Sequence, residues 1–182
     1  MKPAVFLDRD GVLTIENGYA IKSFDEMSIF SYAADCVSRI KKLGFLTIVI
    51  TNQSAVAKGL FSEEELIRMN DRLIKETGVD ALYYCPHHPN GMVPRYTKVC
   101  DCRKPATGMI VRAQKDHEID MDSSYMVGDR ALDIILGNRA GIKTILVNSG
   151  YGIDNLEERC SPDHVFKDLR DVVNYLESIH EK

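Results

Sequence analysis

The sequence has no long hydrophobic run. Its N-terminal stretch "PAVFL" places only five apolar residues before Asp8, fewer than the roughly 7–15 residues of a secretory signal. No other segment approaches the roughly 18 apolar residues of a membrane-spanning helix. We therefore expect neither a signal peptide nor a membrane anchor, and we predict a cytoplasmic protein.

An excess of either charge is also lacking, since the formal net charge is only −4. Duplex binding requires a basic surface that neutralises many phosphates, so we expect a small-molecule partner rather than a nucleic acid. There are no internal repeats, low-complexity tracts or Gly/Ser linkers. A chain of 182 residues can bury about 70% of its unfolded surface without disulfides. We predict one domain over residues 1–182 and favour a monomer, although a linear sequence reveals no interface.

The five cysteines are odd in number and clustered, which argues against a secreted disulfide framework. Three of them lie in "YYCPHHPNGMVPRYTKVCDCRKP", residues 83–105. A C-x-H pair and a C-x-C pair in this stretch offer three thiolates and one imidazole, a suitable set for a tetrahedral Zn²⁺ with no position left for water. The predicted ligands of a structural zinc are Cys85, His87, Cys100 and Cys102. His88 is the less favoured histidine, and a reduced cysteine cluster without metal is the alternative.

Short apolar runs alternate with stretches of helical spacing. The predicted strands are 3–8, 45–51, 79–85, 124–129, 143–148 and 164–166. The predicted helices are 31–43, 62–76, 106–117, 131–140 and 168–180. This rhythm predicts a parallel sheet with helices on both faces, a three-layer α/β/α, Rossmann-like domain. The segment before the first helix is too short for an inserted cap domain, and the one long irregular segment is 86–103.

Polar residues stand at the ends of four predicted strands. They are Asp8, Thr51, Cys85 and Asp129. Ligands of such folds bind beyond the carboxyl ends of the strands, so these positions are the strongest positional signal in the chain. The turn at 148–152 is predicted to be flexible, and the sequence assigns it no role.

Asp8 and Asp10 flank Arg9, and Gly11 lets the chain turn at once. Two carboxylates here and a third at Asp129 form a hard, oxygen-lined site that suits Mg²⁺. One acid of such a pair can attack while the other moves protons. The alternative for an isolated DxDG is a polar loop whose aspartates cap nearby amides.

Two cations could balance a phosphoryl group at this site. They are Lys104, at the end of the cysteine-rich segment, and Arg130, directly after Asp129. Asp133 stands one turn further along the predicted helix, and the sequence assigns it no role.

The motifs "FLDRDGVL", "TNQS", the lysine of "CRKP" and "GDRALD" occur in this order, and together they resemble the haloacid dehalogenase superfamily of phosphatases. The resemblance implies that Asp8 is a nucleophile that forms a phosphoaspartyl intermediate and that Asp10 is the general acid and base. It also implies that Mg²⁺ binds Asp8, the Asp10 carbonyl and Asp129. Thr51 and Lys104 would then hold the phosphoryl oxygens.

The zinc loop narrows this resemblance to a small, capless branch that contains the D-glycero-D-manno-heptose 1,7-bisphosphate 7-phosphatases and the histidinol-phosphatases. The long loop, "ENGY" at residues 16–19 and "TNQSAVAKG" resemble the heptose enzymes, which implies removal of a C7 phosphate. Two positions depart from the heptose pattern: Ala55 replaces a common glycine, and Arg130 replaces a common lysine.

Without a cap domain, specificity is expected from the loops 16–19, 51–59 and 86–103. The predicted substrate-binding residues are Glu16, Asn17, Gly18, Tyr19, Asn52, Gln53, Ser54, Arg103 and Arg130. Histidinol phosphate is the alternative substrate, and Glu16 is the only obvious acid for its amine. A zinc-stabilised binding protein that has lost catalysis is the alternative from another class, disfavoured because all three acids are present.

Overall fold

The structure is a computed structural model that describes residues 1–15, 23–153 and 160–180. Its strands form a six-stranded sheet in the order β3-β2-β1-β4-β5-β6, and every neighbouring pair is parallel. The strands are β1 (Lys2–Leu7), β2 (Leu46–Asn52), β3 (Ala81–Cys85), β4 (Ile119–Gly128), β5 (Lys143–Val147) and β6 (His164–Phe166).

Helices cover both faces of the sheet. They are α1 (Ala33–Lys42), α2 (Glu63–Thr77), α3 (Gly108–Asp116), α4 (Ala131–Ala140) and α5 (Leu169–His180). On one face α1 packs against α2 and α5, whereas α3 and α4 pack on strands of the other face. The predicted three-layer α/β/α class is therefore confirmed. Among the helices of the described ranges, none combines the length and the apolar character that crossing a membrane requires.

Strand β1 lies in the middle of the sheet because its sequence can be buried on both faces. Val5 and Leu7 contact the cluster beneath α1, α2 and α5, and Ala4 and Phe6 contact the cluster beneath α3 and α4. All four side chains are fully buried. A continuous apolar run of this kind is typical of a parallel strand covered on both sides.

Helix α2 shows how local signals set an element's bounds. The Ser62 hydroxyl accepts a hydrogen bond from the Glu65 amide and so caps the first turn. Leu66, Met69 and Leu73 then recur at helical spacing and are buried against the sheet. The helix ends at Gly78, whose φ of 74° is easily reached only without a Cβ.

Strand β4 begins five residues earlier than the predicted strand 124–129, at Ile119. The early part is rich in polar residues, so its composition hid it. Its register with β1 shifts between Pro3 and Val5. At this irregularity the Ser124 hydroxyl accepts from the Ala4 amide at 2.9 Å, and a side chain thus replaces a regular backbone contact.

The strand order creates a crevice at the carboxyl end of β1. Chain connections from β1 and β4 lead to opposite sides of the sheet, and such a switch point is where ligands bind in open α/β folds. Residues 8–32 join β1 to α1, and in their described parts they form turns and isolated bridges rather than a further domain.

Candidate active site

Four of the sequence-predicted catalytic and metal-binding side chains meet at this crevice. Asp8 follows β1, Thr51 lies near the end of β2, Asp129 follows β4, and Lys104 follows the cysteine-rich segment. All four are buried, with Asp129 completely inaccessible. The groups that follow parallel strands thus lie at one edge of the sheet, as expected.

Three glycines make room for the acids. Gly11 has a φ of 84°, and a Cβ on it would collide with the Asp129 carboxylate. A Cβ on Gly150 would collide with the same carboxylate, and one on Gly128 would collide with Asp133. The backbone therefore approaches both carboxylates more closely than any side chain would permit.

Lys104 is the electrostatic centre of the site. Its ammonium group lies 2.8 Å from Asp8 Oδ1 and 2.7 Å from Asp133 Oδ1, and it donates to the Ile50 carbonyl at 3.1 Å. Burial alone would lower the pKa of Lys104, but Asp133 and Asp8 outweigh it and raise that pKa above its ordinary value. Lys104 is therefore held as a cation with all three protons engaged.

Asp133 is a site residue that sequence reasoning did not assign. Its Oδ1 binds Lys104, and its Oδ2 accepts from the Arg130 amide at 3.2 Å. The spacing of "GDRALD" places it one turn into α4, facing back towards the strand ends. Because both of its oxygens are engaged, Asp133 is better suited to orient Lys104 than to bind a metal.

The acids carry more negative charge than Lys104 can balance. Carboxylate oxygens of Asp8, Asp129 and Asp133 all lie within 4.8 Å of one another. Burial, followed by the neighbouring acids, raises the pKa of Asp8 to about 7, although Lys104 opposes the shift. Burial and the nearby Asp133 raise the pKa of Asp129 to about 6. A bound divalent cation would relieve this repulsion.

Asp129 has an oxygen that fits such a cation. Its Oδ2 accepts from the Tyr151 amide at 2.8 Å. Its Oδ1 is buried, and within the described ranges no group donates a hydrogen bond to it. A buried carboxylate oxygen in this state is costly unless a ligand satisfies it, so the donor set fits Mg²⁺.

Three donors hold the carboxylate of Asp10. It accepts from Arg9 Nε at 2.9 Å, from the Thr14 hydroxyl at 2.8 Å and from Gln53 Nε2 at 2.8 Å. Burial would raise the pKa of Asp10, but Arg9, with Gln53 and Thr14, holds it below its ordinary value. Arg9 is itself buried and donates to Asn70 on α2. The arrangement favours the ionised form of Asp10.

Two predicted substrate-binding residues use their side chains to hold other site groups. Asn52 accepts from the Lys104 amide at 2.9 Å and donates to its carbonyl at 3.2 Å. Gln53 is buried and donates to the Thr51 hydroxyl at 2.9 Å as well as to Asp10. Ser54 is half-buried, and its carbonyl accepts a hydrogen bond from the Lys58 amide.

The remaining predicted substrate-binding residues lie at the rim or beyond the described ranges. Arg103 is half-buried and donates to the His87 carbonyl at 3.3 Å. Arg130 is half-exposed and stands next to Asp129. The predicted contacts of Glu16, Asn17, Gly18 and Tyr19 lie outside the described residues.

The cysteine-rich segment gathers its ligand atoms into one cluster. Sγ of Cys102 lies 3.1 Å from Cys85 Sγ and 3.4 Å from Cys100 Sγ, and His87 Nδ1 lies 3.3 Å from Cys102 Sγ. A tetrahedral zinc with Zn–S bonds of about 2.3 Å separates its ligands by roughly 3.7 Å. The set therefore fits zinc after an expansion of roughly half an ångström. His88 instead accepts from the Asn90 amide.

Hydrogen bonds outside the cluster also fix this segment. The Ala57 carbonyl accepts from the amides of Met92 and Val93. The Glu63 carboxylate at the start of α2 accepts from the hydroxyls of Tyr84 and Tyr96. These contacts join the segment to the loop after β2 and to α2, and Lys104 follows two residues after Cys102.

The turn after β5, which was predicted only to be flexible, contacts the site. The Ser149 hydroxyl donates to the Gly11 carbonyl at 2.6 Å. The Gly152 amide donates to the Asp129 carbonyl at 3.0 Å, next to the contact from Tyr151 described above. Most of these contacts use backbone atoms, which leave no residue-type signal; only Gly150 offered a hint.

Comparisons with known proteins place this geometry among phosphatases. The HAD-hydrolase-like family model matches residues 101–172. The chain is 37% identical to the D-glycero-beta-D-manno-heptose-1,7-bisphosphate 7-phosphatase of Yersinia pestis, with 93% of each chain covered. It is 38% identical to the enzyme of the same name from Escherichia coli (strain K12), over 93% of this chain and 91% of that one.

A solved structure is similar over nearly the whole fold. The D,D-heptose 1,7-bisphosphate phosphatase of B. bronchiseptica, complexed with magnesium and phosphate, superposes with a TM-score of 0.82 at 30% sequence identity. The alignment covers 98% of this chain and 99% of that one. The relative thus carries, on the same fold, both a metal ion and the product of phosphate-ester hydrolysis.

Proposed function

Because the chain belongs to the haloacid dehalogenase-like family of D-glycero-beta-D-manno-heptose-1,7-bisphosphate 7-phosphatases, we propose that it removes the C7 phosphate of D-glycero-D-manno-heptose 1,7-bisphosphate in a magnesium-dependent reaction. The names of relatives at 36–40% identity support the substrate. The observation that carries the chemistry is the buried contact of 2.8 Å between Asp8 and Lys104, beside the Asp129 oxygen that accepts no hydrogen bond from the residues that the structure describes.

In the proposed first half-reaction, Asp8 attacks the phosphorus atom of the C7 phosphate. The Lys104 ammonium and the Arg9 amide both bind its Oδ1, so Oδ2 is the oxygen that attacks. The bond between phosphorus and the sugar oxygen breaks, and the sugar oxygen takes a proton from Asp10. A phosphoaspartyl group on Asp8 results.

In the second half-reaction, Asp10 removes a proton from a water molecule that attacks the phosphoaspartyl group. Phosphate leaves and Asp8 is regenerated. The contacts of Asp10 with Arg9, Thr14 and Gln53 favour its carboxylate form, which matches this base role. Donation of a proton in the first half-reaction requires the Asp10 carboxyl to leave these partners.

Asp8, Asp129 and the Asp10 carbonyl are the proposed ligands of the magnesium ion. When bound there, Mg²⁺ would supply the positive charge that reduces repulsion between the Asp8 carboxylate and the phosphate. Lys104 contributes a second positive charge, and Thr51 is proposed to donate to a phosphoryl oxygen. Asn52 and Gln53 keep these two groups in place.

The substrate assignment is tested by a ranked panel of phosphate esters. With Mg²⁺ present, kcat/KM is measured for α- and β-heptose 1,7-bisphosphate, fructose 1,6-bisphosphate and histidinol phosphate. We expect kcat/KM for one heptose anomer to exceed that for every other ester of the panel by at least about tenfold. A phosphate contact that only this anomer can match contributes about 1.5–3 kcal/mol. A higher kcat/KM for histidinol phosphate would overturn the assignment.

Neither alternative gains support. Glu16, on which the histidinol phosphate alternative rests, lies outside the described residues. A binding protein without activity would have no reason to bury Asp8, Lys104 and Asp129 together at the cost of their desolvation.

We also propose that the cluster of Cys85, His87, Cys100 and Cys102 binds a structural zinc ion. Four protein ligands would complete its coordination, so its role is to fix the chain that leads to Arg103 and Lys104. Ordering a free loop costs about 1–2 kcal/mol per residue, and a permanent tether removes part of that cost before the substrate binds.

Replacement of Cys100 by serine should remove the zinc and lower kcat/KM by about 10–100-fold. The loss is limited because Asn52 still holds the Lys104 backbone. Zinc content is measured by mass spectrometry of purified protein, alongside phosphate release. Cys160→Ser is the matched control, since this half-buried thiol lies outside the cluster. If the unsubstituted enzyme contains no zinc after purification and is as active as enzyme supplied with zinc, the proposal is contradicted.

A further inference from the structure

Tyr151 contacts the active site through two different parts of the residue. Its amide fixes Oδ2 of Asp129, as described above. Its ring lies beneath Arg130, whose guanidinium carbon is 3.8 Å from the ring centroid. The same residue thus sets both the orientation of a proposed metal ligand and the position of the neighbouring cation.

Arg130 stands at the entrance of the crevice. Its Nε lies 4.0 Å from Asp129 Oδ1, and 42% of its side chain is exposed, compared with 3% for Lys104. The buried Lys104 faces Asp8, where phosphorus reacts. Of the two cations, Arg130 is therefore the more accessible to a substrate.

The stack on Tyr151 uses a property that distinguishes arginine from lysine. A planar guanidinium can lie flat on an aromatic ring while its edge N–H groups remain directed outward, and these can bind two oxygens of one phosphate. A free arginine side chain would lose rotamer freedom on binding the same phosphate. The ring reduces that loss by holding the guanidinium before the substrate arrives.

We propose that Tyr151 is a positioning residue that favours doubly phosphorylated substrates, because it holds Arg130 ready for the phosphate that is not hydrolysed. The inference rests on the function proposed above. A lysine ammonium at this position could not make the flat stack that gives Tyr151 its effect.

The test compares Tyr151→Leu with Tyr151→Phe, which keeps the ring. KM and kcat are measured for heptose 1,7-bisphosphate and for p-nitrophenyl phosphate, which has a single phosphate. In Tyr151→Leu we expect the ratio of the bisphosphate KM to the monophosphate KM to rise about five- to tenfold, with kcat changed less than about twofold. Tyr151→Phe should restore the ratio of the unsubstituted enzyme.

A double-mutant cycle with Arg130→Lys isolates the stack. We expect Arg130→Lys alone to raise the KM ratio by a similar factor and to add almost nothing in the Tyr151→Leu background. Three results would overturn the inference and leave the proposed function intact. KM could rise equally for both substrates, or the effects of the two substitutions on the KM ratio could be additive. Tyr151→Phe could also be as impaired as Tyr151→Leu. An unsubstituted enzyme that hydrolyses p-nitrophenyl phosphate but not the bisphosphate would overturn both.

Discussion

Asp8→Asn should lower kcat by at least about 10⁴-fold, the scale on which loss of a covalent nucleophile acts. Asparagine has nearly the same shape, and its carbonyl oxygen can still accept from Lys104 and from the Arg9 amide. The substitution therefore removes the attacking charge with little change in packing. Phosphate release from the bisphosphate substrate is the primary measurement.

The stability of Asp8→Asn distinguishes lost chemistry from unfolding. Burial raises the pKa of Asp8 from 3.8 to about 7, so ionisation of Asp8 opposes folding increasingly as pH rises from about 4 to 7 and fully above it. A neutral asparagine avoids that cost. Without Mg²⁺, Asp8→Asn should have a higher free energy of unfolding than the unsubstituted protein at pH 8 and a similar one at pH 4.

Trapping of the intermediate completes this test. Rapid acid quench with substrate labelled at the C7 phosphate should yield a labelled protein from the unsubstituted enzyme and none from Asp8→Asn. Asp10→Asn is the matched control: it should block turnover through proton transfer yet retain most of its magnesium affinity. Substantial hydrolysis by Asp8→Asn would refute the nucleophile assignment.

Lys104→Met should impair both stability and activity. It leaves Asp8 and Asp133 buried without their cation, a change that typically costs about 3–5 kcal/mol of unfolding free energy. The enzyme also loses a preorganised charge at the phosphoryl group, and we expect kcat/KM to fall about 10³-fold. Urea denaturation and steady-state kinetics measure the two effects separately.

Adding Asp133→Asn to Lys104→Met separates the contribution of Lys104 to stability from its contribution to activity. In the double variant Lys104→Met/Asp133→Asn one unpaired carboxylate is removed, so part of the lost stability should return while kcat/KM stays low. Lys115→Met, at an exposed position on α3, is a control for loss of a positive charge. If Lys104→Met unfolds at the urea concentration of the unsubstituted protein, the buried ion cluster is not the stabilising unit described here.

Much of the site could be predicted because strand polarity is a long-range rule. Once the apolar runs were assigned to parallel strands, Asp8, Thr51 and Asp129 had to reach the same edge of the sheet. The cysteine and histidine spacing made a four-ligand cluster equally plain, and the structure brings those four residues together. Side-chain chemistry at an element's end is thus readable when the element itself is regular.

What the sequence did not reveal depends on pairs that are distant along the chain. Asn52 and Gln53 were expected to face the substrate, yet their amides bind Lys104, Thr51 and Asp10. The rotamers of Asn52 and Gln53 are set by these neighbours, and composition and periodicity do not identify which residues the neighbours are. The turn after β5 escaped notice for a related reason, since it acts largely through backbone amides that any residue except proline would offer.

The close approach of backbone to the carboxylates has a consequence for how this protein can vary. Gly11, Gly128 and Gly150 each sit where even a methyl group would collide with an acid. A complete substitution scan should thus find alanine at these three positions nearly as damaging as the loss of Asp129 itself. The least replaceable positions would then include those that offer no functional group, whose contribution is the empty volume that the carboxylates occupy.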